Sequence, residues 1–323
     1  MSGKTAQDGG PRATSWAEVV RLRTLPAAVA PVILGSGAAA ATGDLSWVRS
    51  LLAAGVALAL QVGCNLANDY SDGVRGTDDE RTGPPRLTAS GQVAPRTVKL
   101  AAFGCFGLGA LLGLGLLALS GQWWLLVVGA AAIAAAWFYT GGSRPYGYAG
   151  LGELFVFIFF GLVATAGTTY VQADTVPGWL WPSACGIGLL ACSLLMVNNL
   201  RDIDTDPDHG KMTLAVRLGE RGARRAFSAM LYLPLLLGAV ALVWARETGS
   251  ASPADGGGHV SPLLTLVIAL TVPFLLLPLV RRATAPVRAG ARGRDLIGSL
   301  REAGLLELAY GIVFAAATVI ITL

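Results

Sequence analysis

Long apolar runs separated by short polar breaks make up most of the chain. Nine of them suit helices crossing a hydrocarbon core, which takes about 20 residues each, at 24–43, 46–68, 97–120, 123–140, 151–172, 179–199, 226–245, 262–280 and 304–322. The pattern predicts an all-α polytopic membrane protein with nine transmembrane helices. Residues 1–15 are polar and contain glycine, which predicts a flexible N-terminal tail without the apolar core of a cleavable signal. Residues 16–323 then form a single transmembrane domain.

Composition agrees: 54% of the 323 residues are hydrophobic and 14% charged, against a usual charged share of about 25%. Of the 24 lysines and arginines, only Arg49 and Arg246 fall on one set of connections. The rest lie in the tail and the opposite set, which puts the amino terminus in the cytoplasm and, with an odd number of spans, the carboxyl terminus outside. Topology therefore accounts for the net charge of +4, and no nucleic-acid partner is expected. Basic loops can also touch anionic membrane lipid. Cys64, Cys105, Cys185 and Cys192 all lie inside predicted spans without a CxxC pair, which suits small apolar residues better than disulfides or zinc.

Two span ends break the apolar pattern. The second span runs into NLANDYSDGVRGTDD, where Asn65 to Asp69 is an i,i+4 step and Asp69 to Asp72 an i,i+3 step, so one helix face carries an amide and two carboxylates. Ionisable groups at a span's edge are costly in lipid and are functional hypotheses from the start. The sixth span ends in NNLRDIDTDPDHGK, with i,i+4 steps from Asn198 to Asp202 and on to Asp206. Asn198 and Asp202 follow Asn65 and Asp69 by 133 positions, which suggests an internal four-helix pseudo-repeat with a ninth helix added. The long loop after the second span and YTGGSRPYGYAG after the fourth are candidate functional loops. In RLRTLP, at the first span, the arginines are either interfacial anchors or guanidinium groups aimed at an anion.

The collected acids are Asp69, Asp72, Asp78, Asp79, Asp202, Asp204, Asp206 and Asp208, with Arg86, Arg144 and Lys211 near them in sequence. Either cluster alone reads equally as a solvated loop. Two Asn-x-x-x-Asp copies at matching helix ends favour a paired site. Carboxylates so concentrated repel one another unless a cation bridges them, and Mg²⁺ is held by one or two carboxylates while substrate phosphates complete its shell. Arginine and lysine grip the remaining phosphate charge, so the composition suits a lipid diphosphate. A cation-coupled transporter is the rival from another class, but its acids belong near mid-span rather than at the cytoplasmic ends beside basic loops.

With NDYSD, DIDTD and the phrases RTLPAAVAPVILG, GPPRLTASG and YTGGSRPYGYAGLGELF, the chain resembles the UbiA superfamily of intramembrane aromatic prenyltransferases over about residues 20–320. Within it the chain is most similar to the branch that prenylates 1,4-dihydroxy-2-naphthoate. It departs from the general pattern at Gly76, where a third Asp is usual, with acids following instead at Asp78 and Asp79. The resemblance implies helices around a central cavity, a plasma-membrane enzyme with a cytoplasmic-side site, and Mg²⁺ as cofactor. It implies metal-binding and catalytic roles for Asp69, Asp72, Asp202 and Asp206, with Asn65, Asn68 and Asn198 as further metal ligands. Lys211, Arg86 and Arg144 would bind the diphosphate of a polyprenyl donor, Lys211 counting also as catalytic. Tyr139, catalytic, and Tyr146 would stabilise an allylic cation beside the aromatic acceptor, and Arg23 would hold the acceptor's carboxylate. The implied product is demethylmenaquinone, formed with loss of carbon dioxide. Another aromatic acceptor, such as 4-hydroxybenzoate, is the alternative within the superfamily.

Overall fold

The computed structural model describes Arg21 and residues 24–76, 86–249 and 260–322. Nine apolar helices occur among these residues: α1 Pro26–Ala41, α2 Trp47–Val74, α3 Pro95–Ser120, α4 Leu125–Phe138, α5 Gly152–Ala173, α6 Leu180–Arg201, α7 Leu214–Gly249, α8 Pro262–Arg288 and α9 Ile297–Thr322. Seven are long and apolar enough to cross a membrane, whereas α1 with 16 residues and α4 with 14 are shorter than a full span. The tail at 1–15, Arg23, Asp78 and Asp79 lie outside the described residues.

Local chemistry sets the helix ends. Proline opens α1, α3 and α8, where its missing N–H costs nothing and its φ is already helical. Ser46 and Ser261 cap α2 and α8 by accepting from the amides of Arg49 and Leu264. The hydropathy pattern misses the start of α7, because Leu214 to Arg225 is amphipathic and lies before the apolar run; the helix kinks at Gly219, whose φ is +67°. Inside α5, Phe157–Val163 is wound as a π-helix, a local irregularity common at functional sites.

Small residues let the helices close up, as expected where lipid supplies no hydrophobic drive between them. A Cβ on Gly161 of α5 would fall 2.5 Å from the Cα of Gly188 in α6, and one on Gly311 of α9 would fall 2.6 Å from the Ala30 carbonyl oxygen in α1. The main core joins α1 and α6 to α9, around buried Phe227, Leu231, Tyr310 and Phe314. A smaller one joins α2, α3 and α4 around Leu66, Val98 and Phe106. No residue of α4 is fully buried, and this thin helix walls an apolar space between the two cores.

At the end away from the acids, hydrogen bonds tie the start of α2 to the ends of α3 and α5. Gln172 Oε1 accepts from the Ser46 amide (2.8 Å) and from Ser50 Oγ (3.2 Å). Arg49 donates to the carbonyls of Leu119 (2.6 Å) and Val171 (3.0 Å). All four cysteines are free thiols.

Candidate active site

The carboxyl ends of α2 and α6 and the turn after α4 meet at one end of the bundle and enclose a polar chamber of about 90 Å³. Asp72, Asp202 and Asp206 line it together with Asn68, Asn198, Lys211 and Arg86. Below lies an apolar cavity of about 540 Å³ between α1 to α6. The two share Arg21, Asn68, Tyr139, Leu195 and Asn198 as walls.

Asp72 is the hub of the chamber. Buried near the end of α2, it accepts from Lys211 Nζ (3.0 Å) and from the Tyr148 hydroxyl (2.8 Å), with Arg86 Nη2 at 3.9 Å. Lys211 Nζ also lies 4.9 Å from the centroid of the Tyr148 ring, a cation–π contact. The turn bearing Tyr148 is a short 3-10 helix, Tyr146–Ala149, fastened on two sides. The Tyr148 carbonyl accepts from the Met212 amide (2.9 Å), and Arg75 at the end of α2 donates to the carbonyls of Thr140 and Gly142.

On the α6 side, Asp202 accepts a two-pronged bond from Arg201, Nε at 2.9 Å and Nη2 at 2.6 Å, the geometry that a planar guanidinium favours with a carboxylate. Arg201 also donates to Asn198 Oδ1 (3.1 Å). Asp206 is buried one turn further on, and its carbonyl accepts from the Lys211 amide (2.9 Å), folding the loop so that Lys211 points back across the chamber. Asp204 and Asp208 face outward.

Three expected site residues lie elsewhere. Asp69 is fully buried and lines neither cavity: Oδ2 accepts from the Leu87 amide (3.1 Å) and Oδ1 from the Thr88 amide (3.0 Å), so it clamps the turn that carries Arg86. Asn65 borders the apolar cavity and donates to Thr24 Oγ1 at 3.3 Å. Arg144 is exposed and lines neither space. The Asn–Asp step of α2 that faces the chamber is therefore Asn68 to Asp72, which precedes Asn198 and Asp202 by 130 positions rather than 133.

Tyr139 borders both cavities, with its ring 5.6 Å from that of Tyr146. The Tyr146 hydroxyl donates to the Ala135 carbonyl (2.9 Å), its ring stacks on Phe155, and burial pushes its phenol well above the ordinary range. Arg21, one of the two arginines of RLRTLP, lines the chamber, as do Tyr148, Arg201 and Asn199, which the spacing did not mark. The sequence signal of two of these is adjacency: Arg201 precedes Asp202, and Tyr148 closes the GGSRPYGY turn.

The donors suit Mg²⁺. Asp72 from α2 and Asp202 and Asp206 from the end of α6 and the loop after it are carboxylates of the hard-oxygen kind Mg²⁺ takes, and the amides of Asn68 and Asn198 line the same chamber. Among the described residues no three acidic, histidine or cysteine side chains already converge on one ion. Mg²⁺ does not demand such a cage, since it takes one or two carboxylates and completes its shell with water and phosphate oxygens.

Residues 28–288 match the model of the UbiA prenyltransferase family. A 1,4-dihydroxy-2-naphthoate octaprenyltransferase of Mycobacterium tuberculosis is 48% identical over 94% of this chain and 96% of its own length. The protein of the same name in Escherichia coli is 42% identical over 68% of this chain and 73% of its own length. Among solved structures, the fold is similar to a UbiA homolog from Aeropyrum pernix K1, at a TM-score of 0.62 and 19% identity over 96% of this chain and all of that one. It is also similar to a UbiA homolog from Archaeoglobus fulgidus bound to DMAPP and Mg²⁺, at a TM-score of 0.59 and 14% identity over 94% and 99% of the two chains. With the family model covering most of its length and close relatives matched nearly end to end, the chain belongs to the UbiA prenyltransferase family.

Proposed function

We propose that the protein transfers a polyprenyl group from its diphosphate to 1,4-dihydroxy-2-naphthoate with loss of carbon dioxide, in an Mg²⁺-dependent step of menaquinone synthesis. The observation that carries this reading is the shared wall between a charged chamber and an apolar cavity. A diphosphate occupies the first while its isoprenoid tail occupies the second. The names of the relatives indicate the acceptor.

Lys211, Arg86 and Arg201 line the chamber and bind the diphosphate oxygens, as charge-assisted donors do for phosphate. Asp72, Asp202 and Asp206, with Asn68 and Asn198, would hold Mg²⁺, whose charge would make the diphosphate a better leaving group. Asp69 acts one step back by fixing the turn that carries Arg86. The apolar walls exclude water from the allylic cation formed when the donor's C–O bond breaks, and the ring faces of Tyr139 and Tyr146 stabilise it. The ring carbon that bears the acceptor's carboxylate attacks, a C–C bond forms, and the bond to the carboxylate breaks. Its electron pair returns to the ring as carbon dioxide leaves, giving the quinol form of demethylmenaquinone.

We propose further that all nine helices cross or enter the plasma membrane, amino terminus inside, as one domain over 16–323, with the chamber at the cytoplasmic face. Exposed Trp47, Trp123, Trp124, Trp181 and Trp244 all lie at the end opposite the chamber, as an interfacial aromatic belt. The basic loops lie at the chamber end.

The experiment is an assay of membranes holding the protein, with a polyprenyl diphosphate, labelled dihydroxynaphthoate and Mg²⁺. Metal-dependent prenylated naphthoquinol is expected; product from 4-hydroxybenzoate alone would overturn the choice of acceptor.

A further inference from the structure

Glu153, the second residue of α5, is buried yet lines neither cavity. A carboxyl group in a first helical turn suits the positive end of the helix, but glutamate at a helix start is ordinarily solvated, and this one is turned inward against α6. Its Oε1 accepts from Asn199 Nδ2 (3.1 Å), and its backbone carbonyl accepts from the Cys192 thiol (3.1 Å). Cys192 and Asn199 are seven positions apart and so share one face of α6. The other carboxyl oxygen, Oε2, is buried with no hydrogen-bond partner among the described residues. Burying a polar atom without a partner is costly, so the placement asks for a reason.

Asn199 supplies one. Its side chain lines the polar chamber, while Glu153 stands behind that wall. The carboxyl oxygen accepts and therefore takes the NH₂ end of the amide, which leaves Asn199 Oδ1 to face the chamber. The other two asparagines of the chamber are engaged differently. Asn68 Oδ1 accepts from the Thr140 hydroxyl (2.8 Å). Asn198 Oδ1 accepts from Arg201 Nη1 (3.1 Å), and its Nδ2 donates to the Leu194 carbonyl (2.9 Å). Among the described residues, Asn199 thus has the one chamber amide oxygen that no protein donor engages.

We infer that Asn199 Oδ1 is a neutral oxygen ligand for the cation of the chamber, and that Glu153 is the positioning residue that aims it. This rests on the Mg²⁺ reading of the chamber. Hard cations take carbonyl oxygens as well as carboxylates, and an amide adds an oxygen without adding to the repulsion among Asp72, Asp202 and Asp206. Ligands of bound metals are themselves held in orientation by hydrogen bonds from behind. The bond from Asn199 to Glu153 is of that kind, and the Cys192 thiol fixes the backbone from which the carboxyl group reaches.

The test measures uptake of Mn²⁺, a paramagnetic stand-in for Mg²⁺, by the full chain in nanodiscs, read from loss of the free ion's spin-resonance signal. Asn199→Ala should weaken Mn²⁺ binding about 10- to 100-fold, and Glu153→Leu by a similar factor, as loss of an outer-shell partner does. Glu153→Gln, whose amide oxygen still accepts from Asn199, should retain most of the affinity. With Asn199→Ala already in place, Glu153→Leu should add no further loss, since a positioning residue acts only through its ligand. Additive losses, or a Gln variant as weak as the Leu variant, would overturn the role of Glu153. Unchanged affinity in Asn199→Ala would overturn the whole assignment, whether or not Glu153→Leu folds. Mn²⁺ uptake that depends on Asn199 in a protein that transfers no prenyl group would overturn the reaction and keep the ligand. Metal-dependent prenyl transfer with Mn²⁺ affinity indifferent to Asn199 would do the reverse.

Discussion

Lys211 Nζ stands 3.0 Å from Asp72 Oδ2, a buried ion pair between residues 139 positions apart that ties the end of α2 to the loop after α6. Removing one member leaves the other without its nearest charged partner, which costs about 3–5 kcal/mol in a fully buried pair. Lys211 is partly exposed, so less is expected here. Lys211→Met should lower thermal stability, raise donor KM and reduce kcat/KM for the donor about 100-fold, with acceptor KM unchanged. Adding Asp72→Asn should restore part of the stability and none of the activity. Recovery of turnover in the double variant would show that the pair holds the fold together and takes no part in catalysis.

Asp69 and Asp72 are one turn apart and have different partners. Asp69 accepts two backbone amides, each hydrogen bond to a charged group being worth about 1.5–3 kcal/mol. Asp69→Asn should speed amide exchange at Leu87 and Thr88 and raise donor KM through Arg86, without moving the Mg²⁺ concentration that gives half-maximal turnover. Asp72→Asn should move that midpoint strongly or abolish turnover. Equal shifts in the two variants would make Asp69 a metal ligand.

This contrast shows how far the residues alone lead. Carboxylates ending two apolar segments mark the site, because nothing in lipid excuses them. Spacing cannot choose between Asn65–Asp69 and Asn68–Asp72, since both are i,i+4 pairs on the same two turns. The choice is made by the turn at Leu87 and Thr88, which takes up Asp69, and by Thr24, which takes up Asn65; both contacts join segments distant in sequence. The apolar helices are likewise plain from hydropathy, whereas the amphipathic start of α7 and the π-helix in α5 depend on packing that hydropathy does not record. Arg144 follows the same logic in reverse: its loop is part of the site's frame, and its own side chain points away.

Gly147 is where that loop packs against Tyr139. A Cβ there would lie 2.6 Å from the Tyr139 carbonyl oxygen and 2.8 Å from its ring, although Tyr139 and Gly147 are joined by a backbone hydrogen bond of 3.0 Å. Gly147→Val should therefore displace Tyr139 and the Tyr148 hydroxyl together, cutting turnover about ten-fold or more while the protein still inserts, an overpacking cost of about 1–3 kcal/mol. Gly142→Ala offers a control: its φ of +77° makes it a strained site too, yet it is exposed and lines neither cavity. Losses of the same size in both would point to general loop damage.

Tyr139 tests whether the ring or the hydroxyl matters to the cation. It borders both cavities, at their junction, and meets Tyr146 edge to face. If the ring face stabilises the developing allylic charge, Tyr139→Phe should keep most of kcat. Tyr139→Leu should then lose about 30-fold, the equivalent of about 2 kcal/mol for a desolvated cation–π contact. The loss should appear in single-turnover rates, where product release plays no part, and should grow with donors whose cation is less stabilised by its own substituents. A Phe variant as slow as the Leu variant would move the role from the ring to the hydroxyl, with the Tyr146 ring left as the cation's nearer neighbour.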